Sequence, residues 1–105
     1  MNRKREVNGV LIKLEHMERY KLAYYIEDLW TKGFKLTDEE VRFIYFGKKY
    51  TGTSDWKVIL AIEVTLKLQM RFVGSFFISV LELLAKETVK NKSAANRLLK
   101  KKGVC

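Results

Sequence analysis

From Trp56 to Phe72 every second residue is apolar (Trp56, Val58, Leu60, Ile62, Val64, Leu66, Leu68, Met70, Phe72), and six of the eight residues between them are polar or charged. Plotted at 100° per residue, the polar positions scatter over roughly 240° of a helix and leave no apolar stripe; in a strand they share one face. A single strand of this length would reach about 56 Å, against a diameter of about 33 Å for a compact domain of this size. No Gly, Pro, Asn or Asp lies between 57 and 73 to turn the chain. The pattern therefore predicts an irregular or separately paired piece over 56–60 and a one-sided strand over 62–72. A helix over the same residues would be about 25 Å long and fits easily, so an all-α bundle stands as the alternative.

The flanking segments supply the remaining elements. Asn8-Gly9 is a type I′ turn dipeptide, and Val10, Ile12 and Leu14 alternate after it, which predicts an N-terminal hairpin with strands near 2–7 and 10–15. Between Met17 and Lys32 the period changes: Leu22, Ile26 and Leu29 form a helical stripe, widened by Tyr25 and Trp30, and Gly33 supplies a stop. Thr37-Asp38-Glu39-Glu40 has capping-box spacing, yet the β-branched and aromatic "VRFIYFGKKY" follows. One helical turn at 37–40 and a strand at 41–46 are expected, or else a short helix through Phe46. Gly74-Ser75 closes the long strand. Phe77, Val80, Leu81 and Leu84 then predict a helix to about Thr88, and Ser93 caps a last helix over 94–102. The expected fold class is α+β: one small domain over 1–105, with 86–105 a basic helical extension.

In this order the first 74 residues resemble a ubiquitin-like β-grasp domain. The resemblance rests on a strand of the type R-hydrophobic-I-aromatic-x-G-K and a last strand of the type T-L-x-L-x-hydrophobic-R ending near glycine. Arg42, Ile44, Gly47, Lys48, Thr65, Leu66, Leu68, Arg71 and Gly74 match. The chain continues 31 residues past Gly74 without a terminal Gly-Gly. The resemblance thus implies a non-conjugated protein-interaction module with a basic helical extension.

Charge changes the picture most. Twenty-one Lys and Arg against 12 Asp and Glu give a formal charge of +9. A charge of that size attracts nucleic acid, anionic lipid and acidic proteins. Arg3, Lys4 and Arg5 form one cluster; Lys86, Lys90, Lys92, Arg97, Lys100, Lys101 and Lys102 form another beside the single acid Glu87. The lone Cys105 cannot make an internal disulfide, so a reducing, cytoplasmic setting is the default. No apolar region follows Arg3–Arg5 as a signal peptide requires. The longest nearly uncharged run, "FVGSFFISVLELLA", would span about 21 Å as a helix, short of a bilayer core of about 30 Å.

Catalytic chemistry is thin. His16 is the only histidine and has no Cys or second His near it to make half of a metal site. Asp55 and Glu63-Val64-Thr65 approach a metal-dependent nuclease pattern, but Thr65 stands where a lysine would steady the attacking hydroxide. No phosphate loop, dinucleotide glycine pattern or nucleophile motif is present, so no cofactor, metal or catalytic residue is expected. Phe43, Tyr45 and Tyr50 interleave with Arg42, Lys48 and Lys49, a mixture of stacking surfaces and cations suited to single-stranded nucleic acid.

The expectation is a non-enzymatic protein that binds nucleic acid through Arg3–Arg5 and through Lys90, Lys92, Arg97, Lys100, Lys101 and Lys102. The rival expectation is a protein-interaction module, such as a phage- or plasmid-type inhibitor or adaptor, whose basic surface meets an acidic partner. A third is a peripheral membrane protein using 75–102. The unpaired edge of a long strand would also invite a second copy, and hence a homodimer.

Overall fold

The computed structural model describes residues 14–86 and 89–104, with side chains from Lys21 onward. It consists of five helices: α1 (Leu14–Thr31), α2 (Asp38–Thr51), α3 (Asp55–Gln69), α4 (Gly74–Lys86) and α5 (Lys92–Lys101). No strand occurs among the described residues, which form an all-α domain, and the α+β expectation is overturned. The β-grasp resemblance goes with it, because residues 41–46 and 62–69, its two diagnostic strands, are helical. The strand edge that favoured a homodimer is likewise absent. Of the N-terminal hairpin, Leu14 and Glu15 lie in α1 and the rest falls outside the described residues.

The alternation at 56–72 misleads for a physical reason. A stripe is required only of a helix with one dry side, whereas α3 is the centre of the domain and packs against α1, α2 and α4. Its buried positions (Val58, Leu60, Ala61, Ile62, Val64 and Leu66) go nearly round the axis. The buried Thr65 hydroxyl donates to Ala61 O at 2.7 Å, so even that polar atom is satisfied inside the helix. The one face of α3 left partly open runs along Trp56, Ile59 and Glu63, spaced i, i+3, i+7.

In α2 the cap prevails over the β-rich composition. Thr37 Oγ1 accepts from Glu40 N at 3.1 Å, and the Glu40 carboxylate accepts from Thr37 N at 2.9 Å. Asp38, Glu39 and Glu40 complement the N-terminal end of the dipole, and Lys48 and Lys49 the C-terminal end. Gly47, a match in the β-grasp resemblance, is a buried mid-helix contact point with α4. A Cβ there would lie 3.1 Å from both Ile78 Cδ1 and Phe77 Cε2.

The stop expected at Gly33 is observed. Its φ is 94°, Gly33 N donates to Trp30 O at 3.2 Å and Phe34 N to Leu29 O at 2.9 Å, the paired closure of a Schellman motif. The last helix begins slightly before the expected cap: Asn91, not Ser93, caps α5 by accepting from Ala94 N at 2.8 Å. It seats itself on the core through Ala95 and Leu99, both fully buried.

Candidate functional site

Two surfaces combine exposed charge with shape. The first is α5 and the residues leading into it. Between Val89 and Val104 stand six cations (Lys90, Lys92, Arg97, Lys100, Lys101 and Lys102) and no acid. With Ala95 and Leu99 turned inward, Arg97, Lys100 and Lys101 share the opposite side with Ser93 and Asn96, and all six cations are exposed. Of these six, Lys92 alone has a carboxylate within ion-pair reach among the described residues, Glu63 at 3.7 Å. Lys92, Arg97, Lys100 and Lys101 lie on α5 itself, Lys102 is its C-cap, Lys90 stands in the segment leading into it, and Lys86 ends α4. The Arg3, Lys4 and Arg5 cluster lies outside the described residues.

The α5 surface runs into a cleft of about 400 Å³. One wall is the open face of α3, with Trp56, Ile59, Leu60 and Glu63; Lys21 of α1 and the entry to α5, Lys90–Lys92, make the rim. Lys57 Nζ lies 5.7 Å from the centre of the Trp56 ring and donates to Leu84 O at 3.3 Å. Lys57 is not among the residues that line the cleft. Asn91 spends its carbonyl oxygen on the α5 cap and keeps its NH₂ group to donate. Partial burial and the negative charges of Glu63 and Asp28 push the nearby Tyr25 phenol up to about 12, so it stays neutral. Sequence reading missed this cleft, because Trp56, Ile59 and Glu63 share a face only in a helix.

The aromatic residues singled out from sequence are not brought together. Phe43 is half-buried in a cluster with Phe72 and Phe77, at ring-centre distances of 6.5 and 6.2 Å. Tyr45 turns toward α1 and lines an apolar groove of about 430 Å³ with Ile26, Trp30 and Val41. Tyr50 is 65% exposed and stacks on Phe46, with ring centres 5.7 Å apart and planes 12° apart. As helix neighbours, Arg42 and Lys49 project between these aromatic groups.

The two carboxylates of the nuclease-like pattern do not converge. Asp55 is buried, accepts from Leu22 N at 3.0 Å and faces Lys48; Glu63 is two turns away on the open face of α3. No group of three or more His, Cys, Asp or Glu side chains suited to a metal ion occurs among the described residues. No helix among them is long and apolar enough to cross a membrane.

A family model matches residues 17–105, which take in every cleft residue and the whole of α5. The chain belongs to DUF6123, a family of unknown function. The matched span begins after the Arg3–Arg5 cluster and takes in α1 from Met17 onward and all of α2 to α5. No curated protein and no solved structure matches the chain.

Proposed function

We propose that this member of DUF6123 is a small non-enzymatic nucleic-acid-binding protein that holds the phosphate backbone along α5. The observation that carries the reading is the run of six exposed cations without an acid between Val89 and Val104, on a helix fixed to the core by Ala95 and Leu99. Cations on a fixed helix bind phosphates with little further ordering, and each contact releases counterions. The test is a salt titration of DNA and RNA binding by the parent and by a variant with Lys100, Lys101 and Lys102 all replaced by Gln. The parent is expected to bind unrelated sequences alike, and the variant to bind more weakly with a log K versus log salt slope shallower by up to about three units. Absence of salt-sensitive binding by the parent to either nucleic acid overturns the reading.

A second reading has its own observation. The α1/α2 groove is apolar along Ile26, Trp30, Val41 and Tyr45, and Arg42 and Lys49 stand on the adjoining outer face of α2. That pattern fits an acidic amphipathic helix of a protein partner, its apolar side in the groove and its carboxylates on the two cations. Loss of partner binding on Trp30→Ala, with nucleic-acid binding intact, would favour this reading over the first.

A further inference from the structure

The cleft beside α5 has a composition that a site for phosphate alone would not have. Phosphate is best served by cations and backbone N–H groups, yet this cleft has an indole and two aliphatic side chains along its wall and a carboxylate, Glu63, among them. Glu63 would repel a phosphate placed deep in the cleft. It would accept a hydrogen bond from the exocyclic or ring N–H of a neutral heterocycle. The charges suited to phosphate are on the rim instead, at Lys21, Lys90 and Lys92.

Trp56 is prepared for this use. It is half-buried, so its position is set by the packing of α3, and Lys57, itself tied to Leu84 O, adds a cation 5.7 Å from the ring centre. Lys92 approaches Glu63 only to 3.7 Å, and both side chains are well exposed, so a ligand can separate them at little cost. The result is a flat apolar surface, one acceptor and a cationic rim, leading directly onto the α5 cations.

We infer that this cleft is a nucleobase-binding site in which one unpaired base stacks on Trp56 while the flanking phosphates sit on Lys21, Lys90 and Lys92, so that the nucleic acid bound is single-stranded. The inference rests on the α5 reading and narrows it. In duplex nucleic acid the bases are already stacked and none can enter the cleft. Single strands gain about 1–3 kcal/mol per base on an aromatic surface whatever the sequence.

The test uses the full chain carrying Trp30→Phe, which leaves Trp56 as its only tryptophan. A short oligothymidylate and a duplex of equal length are titrated, following Trp56 fluorescence and, separately, anisotropy of the labelled oligonucleotide. Quenching by the single strand alone is expected. Trp56→Leu should weaken single-strand binding roughly 5- to 150-fold and leave duplex binding unchanged, and Trp56→Phe should recover most of the loss. Glu63→Gln, on an exposed side chain, is expected to keep the fold and to alter the preference among bases. Thermal melts confirm that each variant is folded. If single strand and duplex bind equally without quenching, and the Lys100–Lys102 Gln variant still weakens both, the nucleobase site is wrong and the α5 reading survives. If the parent binds neither, both are wrong.

Discussion

Lys48 Nζ lies 2.7 Å from Asp55 Oδ1 and joins the last turn of α2 to the first turn of α3. The two ends of the pair differ. The Asp55 side chain is 1% exposed and that of Lys48 is 32% exposed. The lysine faces Oδ1 without the alignment of a hydrogen bond, so its charge is the main compensation for that buried oxygen, while Oδ2 takes the Leu22 N–H. Each charge also complements the dipole of its own helix end.

Removing Lys48 therefore strands a buried carboxylate. Lys48→Met is expected to destabilise the fold by about 1–3 kcal/mol, less than for a fully buried pair because water reaches the lysine side. Asp55→Leu should cost a similar amount, because it removes the partner of Lys48 and the acceptor that Asp55 Oδ2 offers to Leu22 N. The double variant should lose clearly less than the two singles combined, since no charge is then left unpaired. Denaturant melts of the four proteins measure this; strict additivity would mean that the pair contributes no coupling.

The close approach of α2 and α4 at Gly47 gives a graded prediction. Alanine gains up to about 1 kcal/mol of helix propensity over glycine, but its Cβ must push Phe77 and Ile78 aside by a few tenths of an ångström, so Gly47→Ala should be near neutral. Gly47→Val drives two further methyl groups into the same wall and should cost about 1–3 kcal/mol. Urea midpoints for the pair decide it. A valine variant as stable as the parent would show that α2 and α4 are less closely packed than described.

Met70 ends α3 in the left-handed region, with φ 63° and its N–H on Leu66 O at 3.0 Å, and its side chain is 79% exposed. A non-glycine residue there carries steric strain of about 1–2 kcal/mol, partly offset by the lower chain entropy of methionine in the unfolded state. Met70→Gly is expected to raise stability by about 0.5–1 kcal/mol, readable as a small rise in Tm.

What was legible in the sequence follows from how each element is buried. The described residues of α1 that meet the core lie on one side of the helix, so Leu22, Ile26 and Leu29 could be picked out by spacing; in α5 spacing gives Ala94, Ala95, Leu98 and Leu99 as the inner side, of which Ala95 and Leu99 are fully buried and Ala94 and Leu98 partly. The residues of α3 could not, because a helix surrounded by neighbours needs no polar stripe, and a period of two steps round such a helix as readily as along a strand. For α2 the capping box was the better guide than the β-branched and aromatic residues after it, whose exposed members Tyr45, Phe46 and Tyr50 are on a helix surface. The basic C-terminal cluster was visible as composition. Its neighbour, the cleft, was not, since it joins Lys21 of α1 to Trp56 and Glu63 of α3 and Lys92 of α5.

Tyr25 gives a prediction in pH. Partial burial, then Glu63, then Asp28 raise its phenol from 10.0 to about 12, so in the folded protein the neutral form persists where an unfolded chain would already ionise. Above pH 10 the unfolded state then holds fewer protons than the folded state. The stabilisation from this group is complete below about pH 10 and is lost as pH rises through about 12. An absorbance titration at a tyrosinate wavelength should show a late ionisation step at about pH 12, and Tyr25→Phe should remove it. Glu63→Gln should move the step toward lower pH, because it deletes the charge that opposes ionisation. If the late step survives Tyr25→Phe, it belongs to another tyrosine, with Tyr45, also raised by burial, the next to substitute.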